Sequence, residues 1–161
     1  MSGTTSPAAR RQLPIPAAKK AEQSAEKHAN TAAALGRDLA QRVLNLHDDD
    51  PNESEQIARI FIHTLVSLPG EHLGDLVREP ANTGLPRWDA LLQALVAWRC
   101  QTAVPPVDTP AWANSMHLDE AWAPFGDSIR DDGWYVLSVL STPAAFLHRG
   151  VVLDRRNLQE L

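Results

Sequence analysis

Cysteine occurs once in these 161 residues, at Cys100, so no disulfide joins the chain to itself. Long apolar runs are missing as well. The longest largely apolar stretch, IFIHTLVSLPG at residues 60–70, is interrupted by His63 and falls short of the roughly 20 residues that cross a bilayer. Arginines stand near the N-terminus with no apolar core behind them, which is not the pattern of a secretory signal. The expectation is a soluble, cytoplasmic protein with no membrane partner. Signatures of catalysis are absent too. There is no G-x-S-x-G elbow, no phosphate loop and no dinucleotide fingerprint, and nothing in the spacing sets a base beside a nucleophile. The sequence therefore reads as non-enzymatic and without a cofactor.

Metal chemistry fares no better. HDDD at residues 47–50 has ligand-type side chains, but neighbours on one stretch of chain rarely all point at one ion, and no calcium-loop spacing follows. It reads as a solvated helix junction in which Asp50 caps the next helix. His63 and His72 are separated by a helix end, and HLDE at 117–120 is too short for a zinc pattern. No metal site is expected. Cys100, near the end of an apolar helix, reads as a small buried thiol.

Charge is present but unevenly spread. Residues 1–37 hold six basic side chains against Glu22 and Glu26, a balance of +4, while the rest holds nine basic and eighteen acidic ones, a balance of −9. Lysine does not occur after Lys27. A basic arm on an acidic body is an interaction pattern, with the arm as the only element suited to nucleic acid. A helix-turn-helix over residues 57–79 is disfavoured, because its second helix offers Glu71, Asp75 and Glu79 against Arg78 alone, the wrong sign for phosphate.

Periodicity predicts a mainly α fold: an irregular helical bundle with a long N-terminal helix and a Trp/Pro-rich loop region. Residues 1–16 combine Ser, Thr and Pro with little to bury and are expected to form a disordered basic arm. Residues 17–161 form the helical domain, with its core at about 33–161. One long helix is read over residues 17–47, apolar on one face only in its second half at Leu35, Leu39, Val43 and Leu46. Asp50, Pro51 and Glu53 open a second helix as a capping box. Its stripe runs through Ile57, Ile60, Phe61, Leu65 and Leu68, and this helix is expected at the centre of the core. EHLGDLVREP reads as a short helix. LPRWDALLQALVAWRCQTAV is another strong one, with Trp88, Leu91, Leu92 and Leu95 on its stripe. DSIRDDGWYVLSVLS is a weaker helix flawed by Gly133.

The last twenty residues, TPAAFLHRGVVLDRRNLQEL, read as two short capped turns around an apolar triplet. Thr142 is the expected cap of the first, Gly150 its stop, and Asp154 the cap of the second. Phe146, Leu153 and Leu158 are expected to dock inward, and Arg149, Arg155 and Arg156 to face a partner. Trp112 and Trp122 lie outside the strong helices and join these arginines as candidate partner-binding residues, since tryptophan and arginine dominate interface hot spots.

The same residues carry a family pattern. Pro110-Ala111-Trp112, Trp122 with Pro124, Thr142 through Phe146, Arg149-Gly150, and Asp154 with Leu158 resemble the C-terminal region of small actinobacterial proteins described as regulators or antitoxin-like. Those proteins often carry a DNA-binding domain in front, where this chain has a polar helix instead. The resemblance implies a non-enzymatic protein encoded beside, and acting on, another protein, such as a toxin. The reading is thus an antitoxin-like neutraliser that binds and regulates a partner protein. The alternatives are a nucleic-acid-binding transcriptional regulator using the basic arm, and a helical subunit of a larger assembly.

Overall fold

The computed structural model describes residues 30–46, 51–126 and 133–159. The expected arm at 1–16, the first half of the long helix, the HDDD junction with its Asp50 cap, and the start of the DSIRDDG segment lie outside the described residues. What is described is mainly helical, as periodicity predicts. In chain order it comprises α1 (Ala32–Leu44), α2 (Pro51–Val66), a 3-10 turn (Gly70–His72), α3 (Leu73–Leu76), α4 (Pro86–Thr102), a 3-10 turn (Ala111–Asn114), α5 (Trp134–Ser141), α6 (Ala144–Leu147) and a closing 3-10 turn (Arg155–Leu158). The only strand-like feature among the described residues is a parallel bridge between Trp122 and Val151.

Helix α1 starts where a hydroxyl caps it. Thr31 is extended (φ −74°, ψ 148°), and its side chain accepts from the Ala34 N–H at 3.2 Å, so the helix read over 17–47 is not continuous through this point. Gly36 lets α1 approach α4 closely, since a Cβ there would meet Leu92 Cδ2 at 3.3 Å and Ala81 Cβ at 3.4 Å. In α2 the buried side chains are Ala58, Phe61, Ile62, Leu65 and Val66, whereas Ile60 is half exposed and off the core. The expected stripe is therefore rotated by a fraction of a turn.

The central helix is α4, not α2. Every residue from Trp88 to Ala97 is buried, as is Cys100, and α4 packs against α1, α2, α3, α6 and the 111–114 turn. Two polar residues on it are satisfied internally, which makes burial on all sides tolerable. Asp89 accepts from the Thr83 N–H at 2.6 Å and its hydroxyl at 2.7 Å. Gln93 donates to Ser115 Oγ at 3.0 Å and accepts from the Met116 N–H at 2.9 Å. Pro86 supplies the start. Burial pushes the Cys100 thiol up from its usual pKa, opposed by the nearby Arg99 charge, so this thiol stays protonated and sits as a small core side chain.

Candidate functional site

The C-terminal segment is stitched to the loop that follows α4. The Leu118 N–H donates to the Arg149 carbonyl at 3.1 Å, the Trp122 N–H to Gly150 O at 2.8 Å, and the Val152 N–H to Trp122 O at 2.8 Å. Gly150 makes that approach possible. Its φ is +74°, and a Cβ would lie 2.9 Å from Leu118 Cβ and 3.0 Å from the Leu118 carbonyl, so a side chain is excluded both by strain and by space. Thr142 does not cap α6, whose first turn follows Pro143. Its hydroxyl instead donates to Ser138 O at 2.6 Å and accepts from the Leu153 N–H at 3.1 Å, tying α5 to the tail. Asp154 does cap the closing turn, accepting from the Arg156 N–H at 2.8 Å.

Phe146, Leu153 and Leu158 are buried in the common core. Arg149 joins them, which corrects the expectation that it faces a partner. Only 4% of it is exposed, and among the described residues no carboxylate pairs with it. Its Nε donates to Ala113 O at 2.9 Å, one terminal nitrogen donates to Ala145 O, and the other to Ala113 O and to Asn114 Oδ1 at 2.7 Å. Burial pulls its pKa below the usual guanidinium value, yet these oxygens supply the acceptors that a buried cation requires. Arg149 is thus a pin joining the 111–114 turn to α6.

The two tryptophans are likewise engaged from within. Trp112 is half buried and donates its ring N–H to Val77 O at 3.2 Å, while Trp122 is half buried with its ring edge-on to Trp88, centroids 5.2 Å apart at 66°. Trp112, Trp122, Thr142 and Arg149 are therefore all engaged within the fold. Arg155 and Arg156 are different, being exposed, but they do not form one patch. Arg155 lines an open groove of about 480 Å³ with Trp98, Gln101, Pro143 and Leu158. Arg156 lines a smaller cleft of about 110 Å³ with Arg59, Ile62, His63, Val66 and Phe125.

Arg156 also forms a forked ion pair with Asp154, at 2.8–3.2 Å. Those hydrogen bonds and the Arg156 charge hold the Asp154 carboxyl down to about 2, from an ordinary 3.8. A depressed folded-state pKa means that the native carboxylate binds fewer protons, so its contribution is complete above about pH 4 and is lost as pH falls towards 2. Asp154→Asn keeps a capping oxygen and removes the charge. The variant is expected to melt below the wild type at pH 6, with the gap closing as pH drops from 4 to 2. A gap independent of pH would assign the effect to capping alone.

Sequence reasoning missed the surface that stands out most. None of the described side chains of α5 is buried, and Val136, Leu137 and Leu140 are 58%, 55% and 77% exposed, with Leu147 on α6 at 40%. The apolar side chains Val136, Leu137 and Leu140 would be expected inside on hydrophobicity alone, and only the tertiary arrangement leaves them exposed. Among the described residues no three His, Cys, Asp or Glu side chains are grouped to hold a metal ion, and no helix is long and apolar enough to cross a membrane. Comparison with protein-family models, curated proteins and solved structures returns no match.

Proposed function

We propose that this chain is a non-enzymatic protein that binds and regulates a partner protein, in the manner of an antitoxin-like neutraliser. The observation that carries the reading is the outward apolar face of α5. Residues 134–147 contain no charged side chain, and Val136, Leu137 and Leu140 are all more than half exposed. An eight-residue helix does not persist on its own in water, and Thr142 at its C-terminal end ties this one to the tail. Covering its face with an apolar partner surface recovers on the order of 1 kcal/mol per side chain, as expected for groups half to three-quarters exposed. Exposed apolar patches of this kind mark protein contacts. The C-terminal sequence pattern points to the same functional class.

The test is a double substitution, Leu137→Asp with Leu140→Asp. Both side chains project into solvent, so unfolding free energy should stay within about 1 kcal/mol of wild type. Capture of the partner identified by mass spectrometry with the wild-type chain should fall at least about tenfold, which is the effect of losing ~1.4 kcal/mol of contact. Undiminished capture by the folded variant would reject this face as the binding surface.

A further inference from the structure

The cleft between α2 and the closing turn has a chemistry of its own, apart from the α5 face. Its apolar wall is formed by Ile62 and Val66, both buried, and by Phe125. Its polar side carries Arg59 and Arg156 with Asn157 and Gln159, and among the described residues no Asp or Glu lines it. The Arg59 guanidinium lies over the Phe125 ring, 4.9 Å from the centroid, and makes no ion pair among the described residues. Stacking covers one flat face of the guanidinium and leaves its N–H edge free to donate. Arg156 stands beside it with its fork already taken by Asp154. Among the described residues the site therefore has about one uncompensated positive charge, with His63 beside it and aliphatic surface behind.

From this arrangement we infer that the cleft binds a carboxylate carried on a short aliphatic stem, with Arg59 as its cationic partner. Three observations select that ligand. Volume limits the stem: about 110 Å³ is less than the roughly 150 Å³ of an engineered cavity that holds benzene, which leaves room for a few carbons. Charge limits the head group, since a dianion would meet one free guanidinium on a chain of net charge −5, whereas a monoanion is balanced. Geometry favours a planar acceptor, because a guanidinium edge matches a carboxylate. The same chemistry is offered by a free short-chain acid and by the terminus of a peptide with an aliphatic last residue.

Titration of the full chain, followed by ¹H–¹⁵N NMR, tests the assignment with sodium pentanoate, neutral pentanamide, inorganic phosphate, and acetyl-Ala-Leu as its carboxylate and its amide. Saturable shifts centred on residues 59–66, 125 and 156–159 are expected with both carboxylates and not with the amides or phosphate. Arg59→Gln should weaken carboxylate binding about tenfold, the effect of losing one charge-assisted hydrogen bond, while leaving the rest of the spectrum unchanged. Whichever carboxylate binds tighter identifies the source, and either order supports the site. Equal shifts with the amides, scattered shifts, binding untouched by Arg59→Gln, or binding seen only after removal of residues 160–161 would overturn it. None of these outcomes depends on the α5 face.

Discussion

Replacing Arg149 with alanine is expected to lower the unfolding free energy by about 3–5 kcal/mol, although the residue is an arginine in an irregular surface-seeking segment. Among the described residues the guanidinium is the only side chain that donates to the Ala113 and Ala145 carbonyls, which belong to buried residues. Each buried acceptor left without a donor costs about 1–3 kcal/mol, and the space vacated by the side chain adds to that. Removing the charge also removes the desolvation penalty of holding it in the core, which offsets part of the loss. Arg149→Lys should recover only part of the stability, because an ammonium lacks the planar fork that reaches the 111–114 turn and α6 together. Arg155→Ala with Arg156→Ala should stay within about 1 kcal/mol of wild type, since exposed arginines contribute little. Urea unfolding of the three variants checks this ordering. Equal stabilities for Arg149→Ala and the Arg155/Arg156 pair would mean that the buried guanidinium is no structural pin.

Phe146→Ala is expected to cost about 3–5 kcal/mol as well, from a different cause. The ring is fully buried in the core where α6 packs on α4. Its backbone is fixed by neighbours, accepting from the Val151 N–H at 3.1 Å and donating to Pro143 O at 3.0 Å, so the surroundings have little freedom to collapse into the hole. For a chain of this length each kcal/mol lowers the melting temperature by about 2–4 °C, so a fall on the order of 10 °C is expected by calorimetry. Phe146→Leu, which keeps much of the volume, should lose less than half as much. A fall of under 3 °C for Phe146→Ala would show that the C-terminal turns close on the body without being anchored by this ring.

The two substitutions also separate what is legible in a linear sequence from what is not. The Gly150 turn and the Asp154 cap are chemistry between residues a few positions apart, so they can be read directly. The helical class follows from the spacing of Leu and Ile, and the inward docking of Phe146, Leu153 and Leu158 from their placement between polar punctuation. Beyond that range the reading fails in a consistent way. Arg149 is assigned to the surface because a charged side chain is usually there, but two of its three acceptor residues, Ala113 and Asn114, lie about 35 positions away. Trp112 and Trp122 look available until Val77 and Trp88 are brought to them. Ile60 looks like core, because local hydrophobicity states a preference for burial without saying which neighbours will supply it. The cleft at Arg59 joins residues nearly a hundred positions apart and has no local signature. Sequence alone determined the helical class and a few of the ends, such as the Gly150 turn and the Asp154 cap, since periodicity and capping are short-range. Only the tertiary structure decided which faces are covered, because covering a face takes contacts that the order of residues does not state.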